Sequence, residues 1–324
     1  LLHTQGSLPI NIKMLVEGEE EIGSPNLEAF IESHLDLLRA DVAVISDTAM
    51  YGHDIPSLCY GLRGLAYFQI DVQGPNSDLH SGSFGGAVAN PCNALAWILA
   101  QLKGEDGRIR IPGFYDDVRP LSDEERAELA KLPFDHSAYR AAIDVDALPG
   151  EPGFSVLERL WARPTLDVNG LWGGFQGPGA KTIIPAEAHA KVSCRLVPDQ
   201  EPAKVGRLLT DYVRAIAPAG VRVTVQELHG GRPSITPIDH PATRAAQRAL
   251  ERAFGQEVVF MREGGSIPVV ATFDSLLHVP TVLLGVGLPD EHAHAPNERL
   301  NLDNFYRGIL AAAYLWQELA GALS

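Results

Sequence analysis

At 324 residues the chain is long enough for two domains, and its 45% hydrophobic and 21% charged residues are those of an ordinary globular protein. With 41 acidic against 26 basic residues the net charge is −15, which argues against nucleic acid as a partner, because phosphate binding needs a basic surface. No apolar run reaches the roughly 18–20 residues that span a bilayer, so no membrane segment is expected.

The chain opens without a Met, and residues 1–5 lead almost directly into an apolar run. It is therefore expected to begin part-way into its protein. Residues 10–16 have a strand-like pattern and are followed by the acidic segment EGEEEIGS (17–24). A helical pattern runs from 27 to 38, with Pro25 suited to its first turn, and a second strand is expected over 41–45. Strand, helix and strand in alternation predict a parallel α/β sheet.

From about Leu62 the pattern changes to strand (65–72), helix (87–102), strands (168–175 and 188–196), helix (202–216) and strand (221–228). That order fits a small α+β, ferredoxin-like domain with two helices covering one sheet face. Between its first helix and second strand lies a polar, Pro-punctuated stretch with a helix at 123–131. After 234 the α/β pattern returns, with a helix at 240–254, strands at 257–260 and 281–285, and a helix at 267–273. A last helix spans about 303–320, where Phe305, Ile309, Ala312 and Trp316 recur at helical spacing and are expected to form a buried stripe. The layout is an α/β domain (1–61 and 235–324) interrupted by an inserted domain (62–234). Cys59, Cys92 and Cys194 are odd in number, widely spaced and without a CxxC pair, so they are expected to be reduced thiols in a cytoplasmic protein rather than metal ligands.

Three polar clusters follow predicted strands, where parallel sheets gather their ligand-binding groups. Glu19-Glu20-Glu21 follows the first, Asp47 the second, and the loop holding Glu291, His292 and His294 follows a strand near the end of the chain. Adjacent carboxylates in a cleft repel one another unless a cation intervenes. Each cluster also has a plain reading as a solvated turn or helix cap. Taken together, Glu, Asp and His are the ligand set of zinc or manganese.

Further segments complete a pattern: DLHSG (78–82), GAKTIIP (179–185), RLVP (195–198), REGGSIP (262–268) and HAPNE (294–298). With EGEEEIGS and Ser46-Asp47-Thr48 they occur in the order found in carnosinase-like cytosolic dipeptidases, which the chain resembles over nearly its whole length. That family belongs with the cocatalytic di-zinc aminopeptidases, aminoacylases and deacetylases. The resemblance implies two divalent metal ions, zinc or manganese, and hydrolysis of a small peptide by a metal-activated water. It implies Glu20 as general base and Glu21, Asp47 and His294 as metal ligands. His80 would stabilise the oxyanion in a partner subunit's site, which makes the protein a homodimer through its inserted lid domain. Thr182, Arg195, Gly265, Ser266 and His240 would contact substrate, with Arg195 suited to a free carboxylate.

Family members also carry an upstream HxD histidine and a bridging aspartate, and neither motif stands before Glu17 here. The chain is thus expected to be a fragment that is inactive alone. An N-acyl amino acid deacylase and a non-catalytic dimeric fragment are the competing readings.

Overall fold

The computed structural model describes residues 1–265 and 267–323. In chain order the strands are β1 (Ala43–Ile45), β2 (Ser57–Leu62), β3 (Gly64–Gln73), β4 (Leu79–His80), β5 (Thr165–Gly173), β6 (Ile183–Ile184), β7 (Glu187–Leu196), β8 (Arg222–Gly231), β9 (Ser234–Ile235), β10 (Val259–Glu263) and β11 (Thr281–Leu283). They divide between two units. The first comprises Leu1–Leu62, Leu121–Asp135 and Ser234–Ser324; the second comprises Arg63–Pro120 and His136–Pro233.

The first unit is built on a sheet of order β1-β11-β2-β10, with β9 beside β2. The expected parallel sheet is in fact mixed. β1 runs parallel to β11 and β10 parallel to β2, but β11 and β2 are antiparallel. The connection from β1 to β2 holds no helix, and a parallel crossover needs one or its equivalent in length. Every residue of β2 is buried, as suits a central strand with elements on both faces. One face packs Leu58, Tyr60, Phe260 and Val282 against the helices Pro241–Phe254 and Leu302–Ala322; the other packs Cys59, Leu62 and Leu283 around Val270.

The two long helices meet through small residues. Ala242, Ala245, Ala246 and Ala249 are fully buried on one, and Ala311 is on the other. This close approach selects the buried stripe of the last helix, which is Asn304, Ala311, Leu315 and Leu319. The expected stripe is therefore misplaced by one position, since Phe305 and Ile309 are 44% and 55% exposed. Residues 10–16 form no strand; no neighbouring strand pairs with them among the described residues, and Met14 and Val16 stand exposed. The helix expected over 27–38 breaks into Leu27–Ser33 and Leu35–Leu38. At the break the Ser33 hydroxyl donates to the carbonyls of Ala29 and Phe30 and competes with the backbone ladder.

The helix Asp123–Lys131 belongs with this first unit, although it was expected inside the inserted section. Its attachment is polar and apolar at once. Glu125 pairs with Arg262 on β10 and accepts from the Tyr60 hydroxyl at 3.2 Å, while Leu129 and Leu132 are buried.

The second unit has the antiparallel sheet order β5-β7-β3-β8. With the helices Pro91–Leu102 and Pro202–Ile216 inserted after β3 and β7, this is the ferredoxin-like arrangement expected from the element order. Strand β3 alternates strictly, with Ala66, Phe68, Ile70 and Val72 fully buried against the helices. Leu95, Ile98, Leu102, Leu209 and Val213 complete that core.

Candidate metal and substrate site

The acidic segment turns through a single 3-10 turn, Glu20–Ile22, closed by Gly23 at φ +88°. Such a left-handed position suits glycine, which has no Cβ to clash. Two of the carboxylates are used locally: Ser24 donates to Glu17 at 3.0 Å, and Asn26 Nδ2 donates to Glu19 at 2.9 Å. Glu20 and Glu21 are left facing outward. Glu21 meets His294 at 3.2 Å between Oε2 and Nε2, and both side chains are more than 70% exposed. The carboxyl of Glu20 is pushed above its usual range, by burial first and then by the charges of Glu21, Asp47 and Glu17, with His294 opposing them. These four side chains and His294 therefore share one electrostatic neighbourhood in the first unit.

Asp47 is placed by the end of β1 and by a tight passage beside β11. The backbone of Thr48 runs so close to Gly285 that a Cβ there would stand 1.6 Å from the Thr48 carbonyl oxygen. Met50 then donates to the Gly287 carbonyl at 2.8 Å. The His294 loop is sharply folded: His292, His294 and Asn297 all adopt positive φ, near +60°. Non-glycine residues rarely do so, and such conformations gather at functional sites. Glu291 holds the loop's base by accepting from the Asn301 N–H at 2.9 Å.

Glu263, at the end of β10, was not among the residues expected at the site. It accepts from the Ala49 N–H at 3.2 Å, and its carboxyl is pushed up by burial and then by Asp47, against the Ala49 bond. The sequence signal for it lay in the REGGSIP segment, where attention fell on the glycines. Gly265, two residues beyond Glu263, is exposed, and Ser266 lies outside the described residues. His240 caps the helix Pro241–Phe254 by accepting from the Ala242 N–H at 3.2 Å, so one ring nitrogen has a structural use.

The remaining expected residues lie in the second unit. Strands β4 and β6 form a short ribbon that brings His80 and Thr182 together, with the Ser81 N–H donating to the Thr182 carbonyl at 3.0 Å. His80 Nδ1 accepts from the Gly82 N–H at 3.1 Å and so presents Nε2 outward. Arg195 sits on β7 between Leu65 and Thr165 of the flanking strands. Burial and the charge of Arg195 lower Arg63 to about 10, with Asp167 opposing.

Among the described residues no group of three or more His, Cys, Asp and Glu side chains is arranged to hold a metal ion. A cavity of about 500 Å³ lies on the far flank of the His294 loop, lined by His53, Leu288, Asp290, Glu291, Arg299, Leu300, Asn301 and Leu302. None of the expected site residues lines it. Cys59, Cys92 and Cys194 are free thiols; burial raises all three, Cys194 to about 12.

The first, mixed α/β unit carries an acidic, histidine-bearing cluster, and the second unit is ferredoxin-like. Residues 60–221 match the peptidase dimerisation domain of the M20 type. The chain is 38% identical over 317 residues to the Cys-Gly metallodipeptidase dug1 of Schizosaccharomyces pombe, covering 96% of this chain and 67% of that protein. It is 34% identical to the human Beta-Ala-His dipeptidase, covering 97% of this chain and 63% of the relative. Among solved structures, human carnosine dipeptidase 1 superposes with a TM-score of 0.77 at 34% identity, over 97% of this chain and 67% of that one. The M20 family metallo-carboxypeptidase Sso-CP2 of Sulfolobus solfataricus gives 0.84 at 32% identity, over 98% and 72%. The chain belongs to the M20 metallopeptidase family. It spans about two thirds of the length of the curated relatives it matches.

Proposed function

We propose that the protein hydrolyses dipeptides or other short peptides with the aid of two bound divalent metal ions, zinc or manganese, and with Glu20 as general base. The observation that carries this reading is the shared neighbourhood of Glu20, Glu21, Asp47 and His294, in a chain similar to named metallodipeptidases. Carboxylates and a neutral imidazole are donors that both metals accept, so the donor chemistry fits, and Glu21 already meets His294. Glu21, Asp47 and His294 would hold the cations and supply part of the coordination. When bound, such ions acidify a water and polarise the scissile carbonyl. Glu20 takes the water's proton and returns it to the leaving amine, a role suited by a carboxyl raised above its ordinary range.

Thr182, Arg195, Gly265, Ser266 and His240 serve in substrate binding on this reading, with Arg195 on the terminal carboxylate. His80 donates to the oxyanion of a partner subunit's substrate, a contribution often worth about 3 kcal/mol. Homodimerisation through the second unit is part of the same proposal, supported by the match to a dimerisation domain. A cytoplasmic setting suits three free thiols.

Hydrolysis of a dipeptide panel with added zinc or manganese, with and without chelator, tests the reading. Chelator-sensitive dipeptide cleavage is the expected result. Cleavage of N-acetyl amino acids without dipeptides would replace it with a deacylase.

A further inference from the structure

We propose that Glu291 is a positioning residue: it holds the loop that carries His294 in its ligating shape and so sets the affinity of the metal site. This deepens the function proposed above and rests on it. The loop departs after Leu288 and returns at Asn301, the N-cap of the last helix. Every residue from His292 to Leu300 is exposed, so burial does little to fix the path. Yet His292, His294 and Asn297 all hold left-handed backbone conformations, which persist only where the surroundings over-determine them. The constraint has to come from the base of the loop.

There Glu291, itself half-buried, touches both legs. Its N–H donates to the Leu288 carbonyl at 3.2 Å on the outgoing leg, and its carbonyl accepts from the Arg299 N–H at 2.9 Å on the returning one. The side chain reaches further. Oε1 accepts from the Asn301 N–H at 2.9 Å, and Asn301 Oδ1 in turn accepts from the Asn304 N–H at 3.0 Å. Oε2 lies beside Gly287, where a Cβ would stand 3.2 Å from it, and the Gly287 carbonyl accepts from the Met50 N–H at 2.8 Å. One residue thus fastens the loop to the capped start of a 21-residue helix and to the backbone just beyond Asp47. The Asp290–Arg299 pair also spans the two legs, but about half of each side chain is exposed, and such pairs contribute little. Outer residues that orient a ligand are commonly worth about 10–100-fold in metal affinity, which is the scale expected of Glu291.

The test uses the full chain, with manganese alone as the probe and two readouts. Hydrogen exchange at the Ala295 amide, which donates to the His292 carbonyl at 2.9 Å, reads the loop without metal, and calorimetric titration reads manganese affinity. Glu291→Ala is expected to speed that exchange and to weaken manganese about tenfold, with the urea midpoint of the first unit within about 0.3 M of the unaltered chain. Glu291→Gln keeps an acceptor oxygen for the Asn301 N–H and should leave both readouts within about twofold. Asp290→Asn should likewise change affinity less than about twofold. In a His294→Ala background Glu291→Ala should weaken manganese no further, because its effect runs through that imidazole. Additive losses in the double variant overturn the proposal, and so does unchanged exchange in Glu291→Ala. A Gln variant as weak as the Ala variant overturns it by making Glu291 a ligand itself. If the unaltered chain binds no manganese, or His294→Ala binds it unchanged, the proposed metal site fails, and the exchange data still decide whether Glu291 holds the loop.

Discussion

Replacing Glu125 tests whether the helix Asp123–Lys131 is tied to the first unit by one buried ion pair. Arg262 is 4% exposed and its guanidinium is paired with Glu125. Glu125→Ala strands that charge, and breaking a buried pair from one side costs about 3–5 kcal/mol. The same carboxylate closes a capping box by accepting from the Ser122 N–H at 2.9 Å, whose loss adds about 1 kcal/mol. Glu125→Gln keeps the cap and the Tyr60 contact and removes only the charge, so about half the loss is expected. With a urea slope of about 2 kcal/mol/M, Glu125→Ala moves the unfolding midpoint of the first unit by about 2–3 M and Glu125→Gln by about half as much. Urea titration followed by circular dichroism, with hydrogen exchange on the β10 amides, separates this unit from the other. Acid supplies an independent check. Burial pushes the Glu125 carboxyl up, but Arg262, the Ser122 N–H and the Tyr60 hydroxyl pull it below the ordinary glutamate range. A depressed folded value means stability that is present above about pH 4.3 and lost as pH falls through the folded value. The gap between the unaltered chain and Glu125→Gln should therefore close in that acid window. Equal midpoints for both variants, or shifts under about 0.3 M, would refute the ion-pair argument.

Gly285→Ala should disrupt the passage of Thr48 and displace Asp47, lowering dipeptide kcat/KM by more than tenfold while the second unit's unfolding is unchanged. Ala249→Leu overfills the contact between the two long helices and should cost about 1–3 kcal/mol in urea unfolding. Glu20→Gln should lower kcat by about 10²–10⁴-fold with metal binding retained, measured by hydrolysis beside a manganese titration.

The second unit was readable from sequence because its strands bury one face only. Ala66, Phe68, Ile70 and Val72 alternate with half-buried residues, and that period announces a strand without knowledge of its partners. The first unit was less legible for the complementary reason. β2 is buried throughout, so its direction depends on the strands beside it. In the last helix two neighbouring stripes both satisfy helical spacing, and only the alanine-lined partner decides between them. Residues 10–16 have strand propensity, but a strand exists through pairing that propensity does not supply. In the sequence Glu20, Glu21, Asp47 and His294 were visible as groups expected after strands, although no strand precedes Glu20 and Glu21 among the described residues. Glu263 was not, since its significance comes from the Ala49 amide and from Asp47, more than 200 positions away along the chain.

Strand β1 pairs with β11, Ala43 opposite Thr281, and β2 pairs with β10, Ser57 opposite Val259. During synthesis, then, the first two strands leave the ribosome long before either parallel neighbour exists. The second unit closes on itself by residue 231, when β8 joins β3. Vectorial synthesis at about 5–20 residues per second leaves the apolar β2 waiting on the order of ten seconds or more for Val259 to emerge. That interval is the period of greatest exposure to aggregation, and it identifies the nascent first unit as the part of this protein that most needs a chaperone.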